Sequence, residues 1–447
     1  MQSFAKDCLN PMVKTGLYIF SNDLRLDDNP SLRLAASEMD QLICCYIFDD
    51  TPSSEARQGS IGRSDHRNQF LHESLVALDS NLQNYGHRLV FRKQPLTDAA
   101  AELIRAHNVS HTYGSFNAGR HLTRQWNSLR KEHPTVSFQQ RHSHTIFKPE
   151  DLPFTIDSLP FTFSKFRKQV EDLLVDFPAL KPKALPPPPE NLSKEKTVPN
   201  LRDVTPSSYF TGGENIGWAH VNEYFNKGLA STYKATRNGL DGMDYSTKFS
   251  PWLANGCISV KSVIARLKLY ERHVEQNEST YWIYFELLWR EYFQWYAYRH
   301  KDRLFDLSGI SLIKPQTSFY AERYQKWCHG NTPYPIINAL MKQLNSTGYM
   351  SNRGRQLIAS CFVHELSLDW RYGAAYLEQH LIDYDEASNW GNWQYLAGVG
   401  ADPKGHRKFD LHKQTEIYDP DGEFVKRWAG NQADSELDSV DATDWPL

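Results

Sequence analysis

The sequence predicts two domains: an α/β N-terminal domain on a doubly wound parallel sheet, then an all-α C-terminal domain. Three observations predict this. Short apolar β-type runs alternate with longer amphipathic stretches through the first third, prolines interrupt every pattern from about 137 to 200, and long helical periods dominate from about 215 to 415.

Taken in order, the runs 17–20 (LYIF), 42–48 (LICCYIF) and 89–91 (LVF) read as buried strands, and 65–85, with Phe70, Leu71, Leu75, Leu78 and Leu82 in phase, reads as a helix. Strand, helix and strand in repetition give a parallel sheet with helices on both faces. Such sheets bind ligands at the carboxyl ends of their strands, where the polar run 21–29 (SNDLRLDDN) follows the first strand. No glycine-rich phosphate fingerprint accompanies it, so an ordinary dinucleotide crevice is not expected there. Next come Pro149, Pro153, Pro160, Pro178 and Pro182, then Pro186 to Pro189 and Pro199, a composition that favours a stiff extended crossing. Helical periods follow at 260–274, 280–300, 335–344 and 353–366. The chain thus divides into an α/β domain at 1–136, a linker at 137–214, a helical domain at 215–430 and an acidic tail at 431–447.

Composition narrows the function classes. The 447 residues are 40% hydrophobic and 23% charged, and no apolar run approaches the eighteen or so that a membrane span needs, so no membrane partner is expected. Residues 416–447 hold nine acids against two bases, which leaves 44 acids and 48 bases in the first 415 and allows a basic face on the body. Six cysteines are scattered without CxxC spacing, which argues against disulfides, zinc and iron-sulfur clusters; no metal is expected. No secretory signal is visible in residues 1–15, and the cytoplasm is the expected compartment. Seven of the twelve Trp fall between 281 and 394, which points to a use for indoles there.

Four stretches carry candidate chemistry. In 280–296 (TYWIYFELLWREYFQWY), Trp282, Glu286, Trp289 and Phe293 share one helical face, and Arg290 stands four residues from Glu286. Such a face suits the stacking of flat bases, although an aromatic core helix would look alike. In 344–356 (LNSTGYMSNRGRQ), Asn352, Arg353 and Arg355 cluster at a helix N-terminus, a setting that favours an anion. In 381–395 (LIDYDEASNWGNWQY), Asp383 and Asp385 can accept from a ribose or a guanidinium, and Asn389 supplies an amide. In 245–256 (YSTKFSPWLANG), hydroxyls and an ammonium suit a pyrophosphate without P-loop glycine spacing.

In order, content and spacing, these stretches together with LDWRYGAAYL resemble the flavin domain of the photolyase and cryptochrome family. The opening LYIFSNDLRLDDNPSL is similar to that family's first strand and loop. The resemblance spans about residues 15–430 and implies an antenna domain followed by a helical domain that holds FAD in a bent conformation. RGRQ and NWGNWQY are most similar to the DASH cryptochromes. Gln356 stands where cyclobutane-dimer photolyases commonly have Met, and Tyr395 where they have a second Trp against the lesion. The (6-4) enzymes carry a His pair at the positions of Asn352 and Gln356, so that activity is disfavoured.

Residue by residue, the resemblance implies that Tyr233, Ser246, Thr247, Lys248, Phe249 and Ser250 hold the FAD phosphates and ribityl chain. It implies that Arg290, Asn352, Arg355, Asp383 and Asp385 line the flavin and adenine, with Asn389 facing the flavin N5. Glu286 and Asn352 would hydrogen-bond a dimer, Trp289 and Tyr395 would sandwich it, Gln356 would border it, and Arg237 and Arg353 would reach phosphates. The implied activity is blue-light repair of cyclobutane pyrimidine dimers, mainly in single-stranded DNA, by an electron from excited reduced FAD. The alternative is a photoreceptor or signalling flavoprotein with little repair activity. RNA and duplex DNA stand as further possible ligands, and a monomer is expected.

Two departures qualify this. Trp393 and Trp370 match the first two members of the family's electron relay, but the third position falls on Thr317, with Phe319, Tyr320, Tyr324 and Trp327 as nearby substitutes. In 114–120 (GSFNAGR) no acidic residue stands where a methenyltetrahydrofolate antenna would want one, which makes that second chromophore doubtful.

Overall fold

The computed structural model describes residues 13–49, 62–194, 198–201, 209–311, 314–401 and 407–433. Five strands, all paired in parallel, form one sheet in the order β3-β2-β1-β4-β5: β1 (Thr15–Phe20), β2 (Gln41–Phe48), β3 (Val90–Lys93), β4 (Val109–Phe116) and β5 (Ser137–His142). Alternate side chains of the central strand feed two cores. Tyr18 and Phe20 pack with α1 (Pro30–Glu38) and α2 (Asp65–Gln83), whereas Leu17 and Ile19 pack with α3 (Leu96–Ala106) and α4 (Arg120–Glu132). The expected doubly wound sheet is present.

Two of its strands escape a search for apolar runs. In β4 (VSHTYGSF) two of the buried hydroxyls have partners, Ser115 donating to Asp23 and Tyr113 to Glu38 at 2.7 Å, whereas the Thr112 hydroxyl is buried without one. Gly114 makes room for Trp126, whose ring a Cβ would meet at 2.6 Å. The edge strand β5 (SFQQRH) is only half-covered and needs no apolar alternation. It corrects the expected boundary at 136, because the first six residues assigned to the linker pair with β4.

The crossing is docked rather than free. It contains α5 (Phe163–Val170), and among its four consecutive prolines Pro187 O accepts from Leu42 N at 3.1 Å and Pro186 O contacts His87 Nε2 at 2.7 Å. The helical part runs through α6 (Glu214–Asn226), α7 (Tyr233–Thr236), α8 (Ser250–Ala254), α9 (Val260–His273), α10 (Glu278–His300), α11 (Ala321–His329), α12 (Pro335–Thr347), α13 (Asn352–Ser360), α14 (Trp370–His380), α15 (Glu386–Leu396), α16 (Leu411–Tyr418) and α17 (Glu423–Arg427). The longest of these, α10, begins on an Asn277/Thr280 capping box and touches α5, α7, α9 and α15. The helix expected through 366 stops at Ser360. A π turn over Cys361–Glu365 follows, with Leu366 N donating to Cys361 O at 3.0 Å. From residue 434 onward the expected tail lies outside the described residues, and no described helix is long and apolar enough to cross a membrane.

The turn after α8 packs into the polar run that follows β1, and a cavity of about 370 Å³ remains beside Leu26 and Asp27 at the far side of that run. Asn22 Nδ2 donates to Ala254 O at 3.0 Å, and Arg25, 1% exposed, donates to Gly256 O, Asp28 O and Ser143 O at 2.9–3.0 Å. Gly256 has φ +69°, and a Cβ there would lie 1.7 Å from Asn22 O. Two buried carboxylates tighten the seam. Glu214 accepts from Leu26 N and Asp27 N, each at 3.0 Å; Glu291 accepts from Ile146 N (2.7 Å), Phe147 N (3.2 Å) and Trp295 Nε1 (2.7 Å). Burial pushes the Glu291 carboxyl up to about 7 despite these donors. Glu291→Ala should therefore cost roughly 3 kcal/mol in urea unfolding by stranding three buried N–H donors, with Glu291→Gln costing less. Equal losses would mean that neither the side-chain volume nor the one acceptor oxygen that Gln keeps contributes there, and that the whole carboxyl is needed.

Candidate cofactor and nucleic-acid site

Helices α10, α13 and α15 wall two adjoining cavities that share Asn352, Arg355, Gln356 and Asp383. The outer cleft holds about 470 Å³ and the inner about 80 Å³. Trp282, Glu286, Trp289 and Phe293 line the outer cleft together, as their spacing on one helical face requires.

At its mouth Arg237 pairs with Glu286 at 2.6 Å and lies over the Trp282 ring at 4.7 Å. Burial raises the Glu286 carboxyl, and Arg237 opposes that rise. Arg353 sits near the rings of Phe409 and Tyr418, at 5.6 and 5.0 Å. The Nε atoms of both arginines are buried without a hydrogen-bond partner, as befits donors that await an anion.

Trp289 and Tyr395 meet edge to face, 5.8 Å apart at 76°. Phe163 of α5 covers one face of Trp289 at 3.8 Å and 15°, and Arg407 lies over Tyr395 at 4.6 Å. One Trp289 face at most is left for a base.

In the inner cavity Arg355 Nη2 donates to both Asp383 oxygens, at 2.9 and 2.7 Å, and the Asp383 side chain is only 1% exposed. Asp385 borders the same cavity, yet its oxygens are engaged by Ser388 N at 2.8 Å, as the N-cap of α15, and by Gln294 Nε2 at 2.9 Å. Asn389 Nδ2 donates to Ala374 O at 3.0 Å, which leaves its carbonyl as the unused group. Trp393 closes the wall against Gly373, where a Cβ would come within 2.3 Å of the ring. Trp370 lines neither cavity; it meets Trp390 at 5.8 Å and donates to Leu307 O at 3.0 Å.

The 245–256 stretch contributes unevenly. Ser250 lines the outer cleft. Lys248, with φ +54° and 5% exposed, directs its ammonium to Ser246 Oγ at 3.1 Å and over the Tyr349 ring at 5.4 Å, and among the described residues no carboxylate forms an ion pair with it. Burial lowers its pKa to about 8. Phe249 is corrected: its ring packs in the core against Tyr224 and Phe225, so it offers a cofactor no side chain. The Thr247 carbonyl contacts His220 Nε2 at 2.8 Å, and Tyr233 is buried, its phenol raised by that burial and then by Glu286. Arg290 borders the cleft while donating to His144 O.

A buried ammonium that Asp241 and Asp383 stabilise only from a distance, beside a seryl hydroxyl, fits a diphosphate, and a carboxylate–guanidinium pair beside an amide fits a flavin edge. FAD affinity should then depend on pH with a defined sign. A bound diphosphate raises the Lys248 pKa above about 8, so binding takes up a proton, and affinity falls as pH rises through 8 toward the ordinary lysine value. Fluorescence titration should show a limiting slope of about tenfold per pH unit, flattened in Lys248→Met. A flat wild-type profile would remove Lys248 from this role.

Sequence reasoning missed Tyr349, Asn392, Arg407 and Phe409, which also line the cleft. Tyr349 lay inside a quoted motif, and Arg407 and Phe409 belong to a basic-aromatic RKF triplet that could have been noticed. The loop at 114–120 does receive a carboxylate, from α15: Glu386 Oε1 accepts from Arg120 N at 2.8 Å.

Residues 16–189 match the DNA photolyase family and residues 282–445 match the FAD binding domain of DNA photolyase. The chain belongs to the photolyase and cryptochrome family, whose helical domain binds FAD. It is 52% identical to a cryptochrome DASH of Idiomarina loihiensis, with 97% of each chain covered, and 51% identical to one of Vibrio parahaemolyticus over the same shares. The crystal structure of a Synechocystis cryptochrome superposes with a TM-score of 0.87 at 33% identity, covering 97% of this chain and 94% of that one. Within the family the chain is of the DASH type.

Proposed function

We propose that this protein uses blue light to reverse cyclobutane pyrimidine dimers, mainly in single-stranded DNA. One observation carries the reading: a base-sized cleft lined by Trp289, Tyr395 and the Glu286–Arg237 pair opens directly onto the cavity walled by Asp383, Asn389 and Trp393. Bound FAD supplies the light-driven electron; the protein supplies position and electrostatics. Lys248, Ser246 and Ser250 hold the diphosphate, and Arg355, Asp383 and Asn389 border the ring. Glu286 and Asn352 hydrogen-bond the pyrimidine edges, Gln356 borders them, and Arg237 and Arg353 take phosphates. With a single Trp289 face to stack on, the site recovers little of the few kcal/mol that flipping a lesion from a duplex costs, which favours single strands.

The test is dimer reversal in an oligonucleotide, single-stranded and duplex side by side, with reduced, FAD-loaded protein in blue light and in darkness. Light-dependent repair confined mainly to the single strand is expected. Equal repair of duplex would make the protein a general photolyase, and no repair with FAD firmly bound would favour the photoreceptor reading.

A further inference from the structure

We propose that the flavin pocket is refilled with electrons along a branch of rings that leaves it through Trp393 and Trp327 and ends at the half-exposed tyrosines 376, 324 and 372. The proposal rests on FAD occupying the cavity that Trp393 walls. From Trp393 the ring of Trp327, itself fully buried, is 6.3 Å away between centroids. Trp327 meets Tyr376 at 5.4 Å; Tyr376 meets Tyr324 at 6.5 Å; Tyr324 meets Tyr372 at 6.0 Å. Each step is edge to face, so a hydrogen-bearing ring edge abuts the next π-face and no gap in the series exceeds one ring contact.

The branch through Trp370 ends differently. Trp370 touches Trp390, which touches Phe305 at 4.8 Å and donates to the Tyr384 hydroxyl at 3.2 Å. A phenyl ring is much harder to oxidise than an indole or a phenol. The Arg67 guanidinium lies over the Tyr384 ring at 4.7 Å, and a cation on that face disfavours removal of an electron. Thr317 brings no ring at all, and its hydroxyl is buried without a partner. Among the described residues, the Trp327 branch is a continuous series of easily oxidised rings that leads from Trp393 to incompletely buried tyrosines.

The electrons balance as follows. Trp393 gives one electron to the photoexcited isoalloxazine, Trp327 refills Trp393, and Tyr376 or Tyr324 refills Trp327. The vacancy passes by electron transfer to Tyr372, whose oxidised phenol then releases its O–H proton to water. An external thiol restores the tyrosine by giving up one hydrogen atom, and two of the resulting thiyl radicals couple to a disulfide. Each thiol thus delivers one electron to the pocket and one proton to the solvent.

The experiment illuminates the full chain, loaded with oxidised FAD, in the presence of dithiothreitol. It follows flavin bleaching and traps radicals by freezing for electron paramagnetic resonance, comparing variants at equal FAD content. Trp327→Phe should slow bleaching about tenfold more than Trp370→Phe does, and should abolish the tyrosyl signal. The double variant Tyr324→Phe, Tyr372→Phe, which keeps both rings, should shift the trapped radical from tyrosine toward tryptophan. Wild-type bleaching in Trp327→Phe with loss in Trp370→Phe, or an unchanged tyrosyl signal in the double variant, would overturn the relay. Bleaching without dimer repair would leave the relay standing and sink the repair reading. An FAD-loaded wild type that repairs when chemically reduced but never bleaches would do the reverse.

Discussion

Asp383→Ala should strip the protein of FAD. The carboxylate is almost wholly buried, and Arg355 is held to it by two hydrogen bonds on the wall of the inner cavity. Removing one partner of such a pair leaves the other charged and unpaired, a cost of about 3–5 kcal/mol, or roughly a hundredfold to several-thousandfold in affinity. Asp383→Asn, which keeps the shape and loses the charge, should fall between. The check is FAD content on purification, followed by fluorescence titration of the apoprotein. Wild-type content in Asp383→Ala would place the flavin elsewhere.

Trp289→Ala should separate the two ligands: FAD stays and damaged DNA is lost. Stacking of a base on an aromatic ring contributes about 1–3 kcal/mol, so binding to dimer-containing single strands should weaken roughly 5- to 150-fold. Because Phe163 lies flat on Trp289, Phe163→Ala should reproduce part of the loss by freeing the indole to turn. Fluorescence anisotropy with dimer-containing and undamaged strands measures both. Unchanged affinity in Trp289→Ala would remove the cleft from lesion recognition.

The legibility of the site followed from periodicity. Trp282, Glu286, Trp289 and Phe293 come together because they lie on one face of a single helix, and a regular helix fixes that face. What separates Trp289 from Tyr395 by 76° is not periodic: it depends on Phe163, which arrives from a proline-rich crossing more than a hundred residues earlier. Phe249 misled for a related reason. It stands among phosphate-type donors in the chain, and only the packing of α6 against its ring shows that it is core. In the sheet, β1 and β2 are legible as continuous apolar runs, whereas β4 hides its burial behind polar side chains and β5 is only partly buried.

The seam at Gly256 changes what the peptide link between the halves is for. Backbone of the helical half sits against the end of the sheet, too close to Asn22 for any side chain, and Arg25 and Glu214 reach across with hydrogen bonds while Glu291 ties the helical half to the crossing. Cutting the chain within the crossing would therefore leave two fragments that remain one particle.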